Sequence, residues 1–457
     1  MKRFLFVFLL SAAVHSYAKI SPLTAAGERA GLSLQQLKDS ALKNNVALHD
    51  AQLSIEAAQE QRREAFTKYF PNVSATGLWF NANRGMAKMD IDPSGIITPE
   101  LGAALAQSFP PEALAALANP MSMSMMKNGT IAGVTAVQPV FAGGQIVNGN
   151  KLARVGEEVS RLQMQLSENE VEKTTEQYYW QLVSMKEKMN TIAAVEALLA
   201  DIHKDVDVAV RAGVAMRNDL LQVQLRQNDT ESQRLKLQNG IELVKMLLGQ
   251  YCGITQQFDV ALPDNSLQAP ALPDNLSDGS TVSMLPEYQL LQKQVEATGL
   301  QKRMALGQNL PSVAVGAGYN YHNLMENDRT FGMVFATVSV PISDWWGGSH
   351  AVKRKKLEHQ KALDQLADNA ELLKIRIRKA WNDVGEARQQ LTIAQRSIEQ
   401  ATENLRLNRD FYKAGTSKMT DLLQAQLLYQ QALDSHTDAM ADYQIKLLEY
   451  RQATGGE

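Results

Sequence analysis

Arg211-Ala-Gly-Val-Ala-Met-Arg-Asn-Asp-Leu-Leu-Gln-Val-Gln-Leu225 and Lys413-Ala-Gly-Thr-Ser-Lys-Met-Thr-Asp-Leu-Leu-Gln-Ala-Gln-Leu427 are one phrase written twice. Ala212, Gly213, Asp219, Leu220, Leu221, Gln222, Gln224 and Leu225 all recur at an offset of 202. The same offset carries Gln138-Pro139-Val140 onto Val340-Pro341-Ile342, while Phe70-Pro71-Asn72-Val73 maps onto Leu310-Pro311-Ser312-Val313 at 240. Three landmarks in the same order make an internal duplication. The change of offset places an insertion of about 38 residues in the first half, near 84–127.

Around each landmark the local signals agree. Gly213 and Gly415 interrupt long helical patterns, so 211–219 and 413–421 read as the turns of helical hairpins. Upstream of the first turn, Leu152, Val155, Val159, Leu162 and Leu166 are spaced 3-4-3-4. The beat returns at Tyr178, Leu182, Met185, Met189, Ile192, Val195, Leu199, Ile202 and Val206, with charged and amide side chains elsewhere. No Pro occurs between Pro139 and Pro263 or after Pro341. A helix over 145–211 would be about 100 Å long, and a second is expected over about 349–413. Ser33-Leu-Gln-Gln36 reads as a capping box that starts a helix running to about Tyr69; its counterpart, opened by Pro286, spans 286–308. Strands are expected at about 72–82 and 130–140, and again at 312–322 and 330–341. Val313, Val315, Ala317, Tyr319 and Tyr321 alternate there with small or polar residues.

The expected organisation is a signal peptide at 1–18, a first repeat at 19–262, a linker at 263–285 marked by Pro263, Pro270 and Pro273, and a second repeat at 286–457. Met1–Ala18 has a basic start, an apolar run and Ser16-Tyr17-Ala18 at its end, which marks export with cleavage after Ala18. An uncleaved anchor is the alternative, and with no Cys after the cut an amino-terminal lipid anchor is not expected. Later in the chain no apolar stretch reaches the roughly 18 residues of a spanning helix. Strands remain as the means of crossing a membrane. Four cannot close a barrel, and an open edge is not tolerated in lipid, so several chains must share one barrel: two or three on this reasoning.

At this point the chain resembles the TolC-like outer-membrane efflux proteins, over essentially the whole mature length. The likeness lies in the duplicated helix–strand–strand–long helix–helix order, in Phe70-Pro71 and Leu310-Pro311, in Gln138-Pro139-Val140-Phe141-Ala-Gly-Gly144, and in the two tips. The resemblance implies a mainly α fold with a small membrane β-barrel portion: a homotrimer with a 12-stranded barrel in outer-membrane lipid and a long α-helical barrel in the periplasm. It implies a passive exit duct for small molecules or polypeptides. The partners implied are a periplasmic adaptor (membrane fusion) protein and an inner-membrane RND, ABC or MFS pump. It assigns Asp421 to an acidic ring at the pore entrance, and Asp219 and Tyr412 to a polar network that ties the entrance shut. Where the family has Arg two residues after the second glycine, this chain has Ser417 followed by Lys418, and a second acidic position is Gln424. Arg211, Gly213, Leu220, Lys413, Gly415 and Leu422 fall at the adaptor-docking tips, and Pro71, Pro139, Pro311 and Pro341 at the barrel–helix junction. Simpler readings stand beside these: helix-terminal stabilisation for the two Asp, packing for Tyr412, and coiled-coil core for the two Leu.

Other functions find little support in the residues. With 46 Lys+Arg against 49 Asp+Glu, the chain lacks the dense positive charge on which nucleic-acid binding relies. One Cys, Cys252, rules out an internal disulfide framework and a thiolate-rich metal site. Gly144-Gln-Ile-Val-Asn-Gly149-Asn150-Lys151 imitates a phosphate loop with its Lys one place late and no Ser or Thr following. His49, His203, His322, His350, His359 and His436 show no metal-binding spacing. No enzyme activity and no cofactor are expected. The insertion is Met-rich: thioethers at Met121, Met123, Met125 and Met126 suit a soft cation such as Cu(I), while a partly helical loop at the outer mouth is the plainer reading. An exported coiled-coil scaffold would explain the heptads but not the paired strands, and a periplasmic adaptor would need an inner-membrane anchor. Mass spectrometry of the membrane-extracted protein is expected to give Lys19 as the first residue of the mature chain.

Overall fold

The computed structural model describes residues 31–92, 98–108, 110, 112, 121–263, 270–276, 281–324, 328–342 and 344–456. The expected signal peptide, 1–18, lies outside them. Helix α1 (Leu34–Asn44) begins at the capping box, with the Ser33 amide donating to Gln36 Oε1 at 2.9 Å and the Gln36 amide to Ser33 Oγ at 3.3 Å. The single helix expected from Ser33 to Tyr69 is broken at Asn45. This residue is extended, caps α2 (Val46–Thr67) by accepting from the Ala47 amide at 2.9 Å, and donates to the Tyr251 carbonyl at 3.0 Å.

Strand β1 (Asn72–Asn81) leads to the insertion, where β2 (Ala87–Ile91) and β3 (Met121–Met125) pair antiparallel and α3 (Pro99–Ser108) lies between them in the chain. The insertion therefore holds a strand pair as well as the expected helix. The soft-metal reading of Met121, Met123 and Met125 falls on side chains outside those described; Met126 turns the chain into β4 with φ +61°. Strand β4 (Asn128–Ala142) is longer than expected and is followed by α4 (Gln145–Arg211) and α5 (Arg217–Cys252). The second repeat supplies α6 (Pro286–Gln308), β5 (Ser312–Asn323), β6 (Asp328–Ser339), α7 (Asp344–Lys413) and α8 (Met419–Thr454). Helix α7 begins five residues earlier than the sequence suggested.

Helices α4 and α7, of 67 and 70 residues, are unbroken spines about 100 Å long. Beside each spine lie two shorter helices. Helices α5 and α2 pack along the two halves of α4, and α8 and α6 along those of α7. Where α5 ends against the α1–α2 break, Ser40 Oγ donates to the Cys252 carbonyl at 3.0 Å, and Leu37, Ala41, Leu48, Tyr179, Leu182, Leu248 and Cys252 form the largest apolar core. Burial pushes the Cys252 thiol up to about 11, so it stays protonated and inert at neutral pH. The segment read as a linker is tied down: Tyr443 Oη donates to the Pro270 carbonyl at 3.1 Å and Tyr450 Oη to that of Asp274 at 2.7 Å.

The four main strands form one antiparallel sheet in the order β1-β4-β5-β6, leaving β1 and β6 as edges. Register assigns the faces. One carries Val73, Ala75, Val134, Ala136, Val315, Ala317, Val334 and Val338, with Trp79, Tyr319 and Tyr321 toward the loop end. The other carries Ser74, Thr76, Thr135, Asn320, His322 and Thr337. A register shift between Pro139 and Phe141 places Phe141 opposite Val313, on the apolar face. Pro71 and Pro311 immediately precede β1 and β5, and Pro341 follows β6, so three of the four junction prolines sit where no ladder amide is needed; Pro139 sits at the shift. Asn45→Ala removes a cap and a tie to Tyr251 together. It is expected to cost about 1–2 kcal/mol, read as a lower thermal midpoint by circular dichroism at 222 nm.

Candidate functional site

At the end of the helices remote from the sheet, two hairpin turns are built alike. The Val214 amide donates to the Ala209 carbonyl at 2.9 Å, and the Thr416 amide to that of Phe411 at 3.0 Å. Each bond spans five residues, the pattern of a helix closed by a left-handed glycine. Gly213 and Gly415 have φ +75° and +72°, and a Cβ on either would meet nothing within 4 Å. The requirement for glycine is conformational, not spatial.

The next helix in each hairpin starts on an extended residue, Met216 or Lys418. Three residues on, Asp219 Oδ2 accepts from the Met216 amide at 3.3 Å and Asp421 Oδ2 from the Lys418 amide at 3.2 Å. Both carboxylates therefore carry the plain role weighed for them, capping and charge at a helix N-terminus. Asp421 is also exposed, on the rim formed by the turns, whereas Asp219 is half-buried. The Lys418 backbone serves as the cap of α8.

An apolar cluster binds the two hairpins together just above the turns. Ile202, Val206, Val223, Met419 and Leu422 are buried there, with Leu220 and Tyr412 packed against them. Leu422 is 1% exposed and Leu220 half-buried, so the core reading fits these two leucines better than a free docking surface. Burial holds the Tyr412 phenol above its ordinary range, and the charge of Asp219 across the interface adds to the effect. The structure thus brings Tyr412 and Asp219 into one electrostatic neighbourhood, while Asp421 sits on its own turn. Lys413 reaches Asp205 at 3.6 Å and Arg211 pairs with Asp207 on its own helix; both pairs are exposed and worth little.

Neither the heptad pattern nor the tip motifs announce the polar tie above this cluster. Arg226 on α5 donates through Nε to Gln426 Oε1 and through a terminal nitrogen to Gln430 Oε1, both at 2.9 Å and both on α8. Gln430 in turn donates to Gln233 Oε1 at 2.9 Å. Gln426 is fully buried. Burial lowers the Arg226 pKa, which Asp229 partly opposes. The available signal was a break in the duplication, since the repeat partner of Arg226 is Leu428. A second unforeseen feature is the apolar first turn. Val214 and Met216 are 83% and 74% exposed, whereas their repeat partners are Thr416 and Lys418.

Residues 286–456 match the family model described as outer membrane efflux protein. No curated protein matches the chain significantly in sequence. Among solved structures, the outer membrane protein VceC of Vibrio cholerae is 14% identical, with a TM-score of 0.70 over 93% of this chain and 96% of its own. The Campylobacter jejuni CmeC outer membrane channel is 17% identical with a TM-score of 0.71, over 93% and 85%. CusC is 16% identical with a TM-score of 0.76, over 96% of each chain. At these identities the likeness establishes the fold, which is that of outer-membrane channels, across both repeats.

Arg226→Met removes the donors that hold Gln426 and Gln430. Hydrogen exchange at amides of α5 and α8 near the tie is expected to accelerate about tenfold, corresponding to about 1–2 kcal/mol for each unmet buried acceptor.

Proposed function

We propose, from the outer membrane efflux protein family to which residues 286–456 belong, that this chain is one subunit of a homotrimeric duct crossing the outer membrane and extending into the periplasm. The observation that carries the reading is the sheet. Its strands alternate in direction along β1-β4-β5-β6, so β1 and β6 run oppositely and β6 of one copy can pair antiparallel with β1 of the next. Three copies give 12 strands, within the range of closed membrane barrels. Strands of 10–15 residues reach across the hydrocarbon core when tilted. The valine-rich face with its Trp and Tyr side chains suits lipid, and the Ser, Thr and Asn face suits water.

In the same reading the spines and their companion helices form a tube through the periplasm, open to the barrel above and narrowed at the turns below. Transport through such a tube is passive and needs no catalytic group. Energy and choice of cargo come from an inner-membrane pump of the RND, ABC or MFS class, coupled through a periplasmic adaptor. The adaptor has a defined target in the exposed Val214 and Met216, which form an apolar knob beside the polar turn at Thr416 and Lys418. Three copies of Asp421 would draw cations to the entrance and repel anions, as rings of carboxylates do in channels. Tyr412, Asp219 and the Arg226 tie hold one hairpin against the other and favour a narrow entrance.

Single-channel recording in planar bilayers tests both the duct and its entrance. Cation-preferring currents are expected, with the preference falling at least about twofold in Asp421→Asn. Unchanged selectivity in the variant removes Asp421 from the filter; no current from verified trimers in either protein removes the duct.

A further inference from the structure

The water-facing side of the sheet is not uniformly polar. On β6 the residues that share the face of Thr135 and Asn320 are Arg329, Phe331, Met333, Phe335 and Thr337. Three consecutive inward positions on an edge strand are thus bulky and apolar. Phe331 and Met333 are 46% and 44% exposed. Their positions are defined by the neighbouring wall. The Phe331 ring stands edge-on to His322, with centroids 6.0 Å apart and planes at 64°, and Phe335 lies over Gly316, where a Cβ would run into its ring. Beside them β4 and β5 present Gly133, Thr135, Gly316 and Gly318; the Asn320 side chain leans over Gly133 and Thr135 stands beside Gly318, as the Phe335 ring does over Gly316.

Resting on the duct reading above, we propose that Phe331 and Met333, with Phe335 beneath them, form an apolar track on the inner wall of the barrel. The track takes small amphipathic organic molecules with an aromatic face as they leave. Three features of the wall select that occupant. A water-filled lumen gives no reason for adjacent aromatic and thioether side chains, and exposed apolar groups gathered in one place mark contact sites. The track is continuous with the β6–β1 seam, and the neighbour's β1 brings Leu78 and Phe80 on the same face, so each seam is apolar on both sides. Lastly, the inner face of the described strands carries no carboxylate, and Arg329 and His322 at its loop end are its titratable groups. A hydrated metal ion finds no hard ligand there, whereas a flat organic ring finds Phe331 and a polarisable sulfur.

The test compares two cations of equal charge, tetraphenylphosphonium and tetraethylammonium, added from the barrel side of the trimer in planar bilayers. In the unmodified protein, tetraphenylphosphonium is expected to reduce the potassium chloride current at about tenfold lower concentration, the worth of one or two aromatic contacts. In the Phe331→Ser, Met333→Ser double variant the two cations should act at similar concentrations while the potassium chloride conductance is kept. Phe331→Leu, which keeps the bulk and removes the ring, supplies the reading if the double variant does not assemble, and should lose about half of the preference on a logarithmic scale. A preference absent from the unmodified protein, or unchanged in the variants, overturns the track. Absence of any potassium chloride current overturns the duct itself, and the track with it.

Discussion

An unpaired strand edge in hydrocarbon leaves a row of amide and carbonyl groups with nothing to bond, at several kcal/mol for each. The rest of this molecule follows from that constraint. On the proposed reading a chain with four membrane-length strands is unfinished alone, and the order β1-β4-β5-β6 leaves two edges that another copy of the same sheet would satisfy. In that reading ring closure would fix where the helices go. Each strand pair is rooted in one spine and one short helix, so closing the sheet would gather the spines into a tube of the same symmetry. The close approach of Gly143 to Gly307, where either Cβ would strike the other backbone, lets the roots of the two repeats stand side by side at that junction.

The far end obeys a different rule. Helix turns must satisfy their own terminal amides and carbonyls, and both tips do so with the same parts: a left-handed glycine, an extended cap and an aspartate three residues later. The same aspartates stand on the rim of the narrowest opening proposed here. Capping fixes the backbone of each turn and ties one carboxylate oxygen to a backbone amide, so the charge of Asp421 is held at a defined place on a long, slender element. On the proposed reading structural and functional roles would coincide on one side chain, and a substitution there has to be read for both.

Much of this was legible because the informative signals were local. Gly213, Gly415, Asp219 and Asp421 act within a few residues of themselves, and duplication doubled each signal. The heptad beat gave the spines for the same reason. The break at Asn45 was hidden because the apolar pattern runs through it, and the reason for the break, the carbonyl of Tyr251, is supplied by a distant segment. The strand pair of the insertion was hidden likewise, since pairing Ala87 with Met125 is a long-range matter while the Ala-rich stretch between them advertises helix. Gln224 and Gln426 are repeat partners and look interchangeable in sequence. One lies exposed beside His203, whereas the other is fully buried under Arg226.

The two free edges of the sheet also carry a genetic consequence. The proposed head-to-tail ring has no redundant contact: each copy would offer its first edge to one neighbour and its last to the other. One copy with a damaged edge opens the whole circle, however sound its companions. In a cell making damaged and intact copies equally, only about one threefold ring in eight would be wholly intact. Faults along β1 and β6 would therefore behave as dominant, while faults confined to one chain's interior would be diluted by the healthy copies.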